Sequence, residues 1–311
     1  MVLDKAQSTV IADVKTAPSR RLDNTQMSSV IEILEAAAQI LERSAIPEPR
    51  RESTSLLSAA LRRDKTFLFA HPEYELLDEE KRLFAEMIDR RAAREPFHYI
   101  TGVKEFYGLD FEVSPSVLIP RPETEMLVAF AIDILSKVRS PTFCEVGTGS
   151  GCISVSILAN VPAARSVGLE ISQQAIEVAE RNAAIHSVSS RVEFCISDVF
   201  SGLAEKPSFD LIVSNPPYVP LADLAGLQPE VRDHEPGPAL TDGGDGLSII
   251  RSLASEAPHH LRPGGSLMFE IGIGQANEVL ALFDRSIWAE FRTENDFQNI
   301  PRVVFARLSD R

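Results

Sequence analysis

Cations, cysteines and long apolar runs are what this chain has little of, and each shortage excludes something. With 31 Lys and Arg against 45 Asp and Glu, the net charge is −14. Such an excess of carboxylate repels a phosphate backbone, which proteins grip with cations that displace its counterions. Duplex DNA or RNA is therefore a poor expected partner unless basic residues are concentrated locally. No apolar run reaches the roughly 18 residues of a membrane span, and the first 25 residues mix Asp4, Asp13 and Asp23 with Lys and Arg where a secretory signal would be apolar. Neither a membrane anchor nor secretion is expected. The three cysteines, Cys144, Cys152 and Cys195, are odd in number, lack metal-ligand spacing and sit in apolar stretches. They read as small core residues of a protein in a reducing cytoplasm. The six histidines are scattered apart from His259-His260, so no metal site is expected.

The 311 residues, 44% of them hydrophobic, suit two domains better than one or three. Residues 1–25 are polar and aperiodic and read as a disordered leader. From 26 to 95 apolar residues recur at helical spacing: Ile31, Leu34, Ala38 and Leu41, then Leu56, Leu57, Ala60 and Leu61, then Leu83, Met87 and Ile88, with Pro47, Pro49 and Pro72 in the breaks. A small helical domain follows from this, either a packing module or a substrate-docking cap. Two short aromatic-rich runs around Gly108 predict a β-hairpin, within a linking segment over 96–118. Pro120 and Pro122 then fix an extended approach to a helix starting at Glu123 or Thr124. From Pro141 onward strands and helices alternate: strands at 143–146, 166–169, 192–196, 210–214, 266–271, 290–293 and 303–306, with helices from Cys152, over 173–185, near 247–257 and over 275–283. Such alternation predicts an α/β fold, a doubly wound sheet of seven strands whose last two form an antiparallel hairpin, with the active site outside the carboxyl ends of the strands.

Three motifs carry chemistry. Glu145-Val146-Gly147-Thr148-Gly149-Ser150-Gly151 sits on the turn leaving the first strand of the sheet, where glycines let the backbone approach a ligand and the next helix presents its amide-rich end. Nicotinamide and flavin cofactors are held by similar turns, but with a different glycine spacing. Glu170 ends the next strand, about 20 residues on, where such sheets place a carboxylate for ribose hydroxyls; the bland alternative is a solvated charge. A nucleoside cofactor is expected, with Asp198 accepting from an exocyclic amine and Val199 or Phe200 walling the adenine. The sharpest signal is Asn215-Pro216-Pro217-Tyr218, straight after the fourth strand. The lone pair of an amide or aromatic amine nitrogen is delocalised, so a methyl on a sulfonium is attacked only if that lone pair is aimed at it. The Asn215 side-chain oxygen and the Pro216 carbonyl can each accept one N–H of a target NH2 group, and Tyr218 can lie against its flat face. A plain proline-rich turn is the competing reading.

The chain also resembles the glutamine methyltransferases of peptide-chain release factors, the PrmC/HemK group. The resemblance runs from about 28 to 304 and rests on Arg94-Glu95-Pro96, Tyr99-Ile100-Thr101-Gly102, Glu105 to Leu109, Leu118 to Glu125, Gly147 to Gly151, Asn215 to Tyr218, Glu235-Pro236, Gly243 to Leu247, and Glu270-Ile271-Gly272 with Gln275. It implies a helical N-terminal domain that docks a release factor, and a class I methyltransferase domain over 119–311 that uses S-adenosylmethionine to methylate the glutamine of the factor's Gly-Gly-Gln loop, in the cytoplasm and as a monomer. It further implies that Gly147, Thr148, Gly149, Ser150, Gly151, Glu170, Asp198, Val199 and Asn215 hold the cofactor, and that Asn215, Pro216, Pro217 and Tyr218 form the glutamine pocket. Glu145 and Glu170 stand where the family more often has Asp, Val199 where it often has an aromatic, and no Arg follows Glu235-Pro236. Two other readings stay open: an N-methyltransferase acting on an exocyclic amine of nucleic acid or of a small molecule, and a non-catalytic protein that binds the same cofactor.

Overall fold

The structure, a computed structural model, describes residues 28–203 and 208–310. The leader expected over 1–25 lies outside the described residues. The chain divides into two compact units, one ending at Ala93 and the other beginning at Arg94.

The first unit is helical: α1 (Val30–Arg43), α2 (Pro49–Leu61), α3 (Lys65–Ala70) and α4 (Asp78–Ala92). The Glu32 carboxylate accepts from the backbone N–H of Ser28 and Ser29, satisfying amides ahead of α1 that the helix itself leaves unpaired. In α2, Leu56, Leu57, Ala60 and Leu61 are buried as their spacing predicts. The phase of two other helices differs from expectation. In α1 the buried face is Val30, Ile33, Ala37, Ala38 and Leu41, while Ile31 is exposed and Leu34 half-buried. In α4, Phe84 and Ile88 are buried and Leu83 is exposed. Each of these segments carries apolar residues on two adjoining helical rows, and tertiary packing selects the row. Arg91, also buried, is paired with Glu52 of α2 at 2.5 Å.

The second unit opens with a short helix the sequence did not suggest, α5 (Phe97–Thr101), stopped by Gly102, and then the expected hairpin, β1 (Val103–Phe106) and β2 (Leu109–Glu112), turning at Tyr107-Gly108. Although expected as a linker, the hairpin belongs to this unit, because Phe106 and Phe111 are buried in the same cluster as Leu127 and Phe143. There follow α6 (Thr124–Leu135), β3 (Thr142–Val146), α7 (Cys152–Asn160), β4 (Arg165–Glu170), α8 (Gln173–Ile185), β5 (Val192–Ile196), β6 (Phe209–Ser214), α9 (Pro229–His234), α10 (Gly237–Leu240), α11 (Ser248–Glu256), β7 (Leu261–Glu270), α12 (Ala276–Leu280), β8 (Trp288–Asn295) and β9 (Pro301–Leu308). The sheet order is β5-β4-β3-β6-β7-β9-β8, with β9 antiparallel to both β7 and β8 and the other pairings parallel. Phe143 and Leu211 pack on one face while Cys144 and Ile212 pack on the other. Both faces are thus covered, which is why these strands read as continuous apolar runs.

The helix expected over 275–283 is regular only over Ala276–Leu280. Beyond it Leu282 and Phe283 donate to carbonyls three residues back, a tighter turn that puts Phe283 among Phe269, Trp288 and Phe291. Of the cysteines, Cys144 and Cys152 are buried as expected but Cys195 is only half-buried, because β5 lies at the edge of the sheet.

The phase of α1 is testable. Ile33→Ala should lower stability by about 2–4 kcal/mol in urea denaturation, whereas Ile31→Ala should stay within about 0.5 kcal/mol of the parent. Equal losses would mean that the helix packs on the other row.

Candidate active site

The strand order reverses between β3 and β6, and a crevice opens there beyond their carboxyl ends. The glycine turn forms one wall. Gly147 and Thr148 both donate from the backbone to the Leu169 carbonyl, at 2.8 and 3.2 Å, which ties the turn to the end of β4. Gly149 donates to the Glu170 carboxylate at 2.8 Å, and the other oxygen of that carboxylate accepts from Ser172 at 3.1 Å. Glu170 is therefore held at the rim of the turn. Gly149 has φ +55, and a Cβ there would meet nothing within 4 Å, so its backbone stands open to a ligand. Gly151 differs from its neighbours: it does not line the cavity, and a Cβ there would press on Ala179 of α8 at 3.1 Å. Ser150 does line the cavity, and its carbonyl accepts from Asn182, a fully buried side chain that also exchanges two hydrogen bonds with the backbone of Glu112. Asn182, which the sequence reading passed over, joins the turn to the hairpin.

The cavity beside the turn holds about 770 Å³, a volume in the range of cofactor sites. Glu145, Thr148, Glu170, Ile171, Asp198 and Val199 are among its walls. Asp198 is exposed at its edge, and the Ser197 hydroxyl shapes the bend by donating to the Val199 carbonyl and accepting from Gly202. Val199, with φ +51, faces the cavity, whereas Phe200 turns away, buried and stacked on His260 at 4.6 Å. Phe200 is thus removed as an adenine contact.

Glu145, a residue with no assigned role at the level of sequence, lies beneath the turn and is buried. One carboxylate oxygen accepts from the Ser154 backbone at 3.1 Å; the other is buried without a partner among the described residues. Burial lifts its pKa to about 8, against the pull of the Ser154 hydrogen bond. An unsatisfied acceptor in the cavity wall fits a cationic ligand group.

The second wall is the segment after β6. Asn215 lines this cavity and also a neighbouring one of about 490 Å³, whose walls include Arg121, Pro216, Tyr218, Val231 and Leu240. Pro217 faces the larger cavity, while Pro216 and Tyr218 face the smaller. The Asn215 amide nitrogen donates to the Thr124 hydroxyl at 3.1 Å, and Thr124 donates to Glu270 at 2.6 Å. Tyr218 is held at three points. Its hydroxyl donates to the other Glu270 oxygen at 2.9 Å, its carbonyl accepts from Gln275 at 3.0 Å, and Gly246 packs so closely that a Cβ would stand 2.3 Å from that carbonyl. Burial, followed by the charge of Glu270, raises the Tyr218 pKa, so the phenol stays protonated. Arg121, at the mouth of both cavities, is paired at 2.6 Å with the buried carboxylate of Glu235. Glu270, Gln275 and Gly246 were legible only as pieces of the family pattern and Thr124 otherwise only as a helix start, because no spacing announces a long-range contact.

Among the described residues no group of three or more potential metal ligands occurs, and no helix is long and apolar enough to cross a membrane.

Sheet order, glycine turn and the strand-end carboxylate together define a class I S-adenosylmethionine-dependent methyltransferase. The catalytic domain of hMettl16 shares the fold, with TM-score 0.51 and 15% identity over 73% of this chain and 82% of that one. Residues 32–102 match the PrmC N-terminal domain and residues 126–225 the methyltransferase small domain. The release factor glutamine methyltransferase of Geobacter sulfurreducens is 42% identical over 92% of this chain and 99% of its own length. That of Koribacter versatilis is 40% identical over 88% and 96%. The chain belongs to the release factor glutamine methyltransferase family.

The buried carboxylate under the turn gives a pH test. A raised pKa means that the folded state binds the proton more tightly, so Glu145 favours folding fully below its unfolded value of 4.5 and loses that contribution as pH rises to about 8. In the cofactor-free protein, Glu145→Gln should flatten the decline of the melting temperature across that window and melt above the parent at its upper end. Parallel pH profiles for the two proteins would refute the assignment.

Proposed function

We propose that this enzyme transfers a methyl group from S-adenosylmethionine to the side-chain amide nitrogen of the glutamine in the Gly-Gly-Gln loop of a peptide-chain release factor. The observation that carries this reading is that Asn215 lines both cavities at once, with its amide nitrogen occupied by Thr124. Membership of the family supports the substrate, and two cavities that meet at one side chain support separate places for cofactor and glutamine.

The cofactor supplies an electrophilic methyl carried on a sulfonium. The residues that would hold it are Glu170 for the ribose hydroxyls, Val199 and Ile171 for the adenine, the open backbone at Gly149, and Glu145 for the ammonium group. On the substrate side, the Asn215 carbonyl oxygen accepts one N–H of the glutamine amide and the Pro216 carbonyl the other, which fixes rotation about the amide and aims the nitrogen lone pair. Tyr218 lies against the flat amide and excludes water. As a neutral phenol it cannot act as a base, and Glu270 is occupied by two hydroxyl donors. None is required, because positive charge appears on nitrogen as it vanishes from sulfur, and the proton leaves after methyl transfer. The helical N-terminal unit docks the factor, the protein works in the cytoplasm, and the net charge of −14 disfavours nucleic acid as the methyl acceptor.

Incubation with S-adenosylmethionine and purified release factor should add one methyl mass at the Gly-Gly-Gln loop, and none to tRNA or DNA. Transfer to nucleic acid, or no transfer to the factor, would overturn the reading. Asn215→Ala should lose on the order of a hundredfold in kcat, while its cofactor Kd, by calorimetry, changes by far less.

A further inference from the structure

We infer that Glu270 and Thr124 are positioning residues that set which end of the Asn215 amide faces the substrate. The inference rests on the glutamine-methylation reading and concerns how its acceptor oxygen is presented.

The argument is one of hydrogen-bond direction. An ionised carboxylate only accepts, whereas a threonine hydroxyl owns a single proton. Glu270 is buried, and its two oxygens take the Thr124 hydroxyl at 2.6 Å and the Tyr218 hydroxyl at 2.9 Å. With its proton committed to Glu270, Thr124 has only lone pairs left for its other neighbour. The Asn215 atom 3.1 Å away must therefore be the nitrogen, and the Asn215 oxygen is left for the cavities. A hydroxyl free to turn would serve the amide equally well the other way round, with NH2 presented to a substrate whose own NH2 has nothing to offer it.

The fold supplies the geometry. Ser214 and Phe269 are register partners on adjacent parallel strands, so Asn215, just past the end of β6, stands beside Glu270, the last residue of β7, and Thr124 begins the helix that covers them. Thr124 is itself buried, so water does not compete for its hydroxyl. Burial raises the Glu270 pKa against the pull of the two hydroxyl donors and then Arg302, so the direction belongs to the ionised carboxylate: a proton taken up by Glu270 would free Thr124 to donate to Asn215.

Thr124→Val keeps the shape and removes the hydroxyl. It should lower kcat on release factor on the order of a hundredfold, with cofactor Kd and factor KM nearly unchanged, and Thr124→Ser should restore most of the rate. If Glu270 acts through Thr124, adding Glu270→Gln to Thr124→Val should slow the enzyme by far less than Glu270→Gln slows the parent. Wild-type kcat in Thr124→Val, no rescue by serine, or losses that multiply would overturn the inference. A second readout needs no substrate: the Asn215 side-chain NH2 resonances, assigned by their loss in Asn215→Asp, should shift in Thr124→Val and in Glu270→Gln but not in Thr124→Ser. Unchanged resonances in both would sink the inference even if the parent methylates the factor. An inactive parent with the shifts as expected would sink only the choice of substrate. Should Thr124→Val fail to fold, Glu270→Gln with the same resonances and kcat decides.

Discussion

The site depends on the parallel register of three central strands. Val146 of β3 is paired with Ser214 of β6, and Ser214 with Phe269 of β7. Adjacent strands lie about 4.8 Å apart, so the residues that follow, Gly147, Asn215 and Glu270, emerge as a row at one edge although they are far apart in sequence. A glycine turn, an amide and a carboxylate need no further device to meet. Slippage of β7 by one residue would turn Glu270 to the opposite face and leave both Tyr218 and Thr124 without their acceptor.

Carboxylates are in excess over the whole chain, and some of them have gone inside. Glu145, Glu235 and Glu270 are all buried around the crevice, each disposed of differently. Glu235 faces the Arg121 guanidinium and the Ile119 amide, a pairing that compensates its desolvation. Glu270 has two hydroxyl donors. Glu145 alone keeps an oxygen with no partner among the described residues, an arrangement that disfavours folding at neutral pH. A chain retains such a group where something else satisfies it during function, and a wall of the larger cavity is where a cationic ligand group would do so. Among the three, only Glu145 combines an unsatisfied oxygen with a place in the wall of the larger cavity.

How much of this was legible beforehand varied with the range of the interaction. Strand and helix alternation gave the sheet and its closing hairpin, because both-face burial leaves a signature within each segment. Motif positions were legible for the same reason, as the glycine turn and Asn215 to Tyr218 are contiguous. Helix phase in α1 was not, because Ile31 and Ile33 are equally apolar and only the partner decides which is covered. Val199 and Phe200 posed the same difficulty across one residue of an irregular bend, where no period exists to extrapolate. Glu145 appeared in sequence as a departure from a family preference, and its unsatisfied oxygen needed coordinates. The pairing of Thr124 with Glu270 spans most of the catalytic unit, and no local pattern encodes it.

The chemistry explains why so much structure is devoted to holding things still. A reaction that needed a base would require a titratable group free to move a proton beside the target nitrogen; here the two titratable groups next to Asn215 in the hydrogen-bond chain, Tyr218 and Glu270, are bound to each other. What amide methylation requires instead is a nitrogen lone pair held on a line, and orientation of that kind can supply about 7–11 kcal/mol of a barrier. Tyr218 held at its hydroxyl by Glu270 and at its carbonyl by Gln275 and Gly246, and Asn215 fixed through its nitrogen, are suited to such a role. On the proposed reading, rigid acceptors beside an electrophile would place the selectivity of the enzyme in geometry: a planar NH2 with two N–H bonds to give would satisfy both acceptors, whereas a hydroxyl or a water, with fewer protons or no fixed plane, would leave at least one of them poorly met.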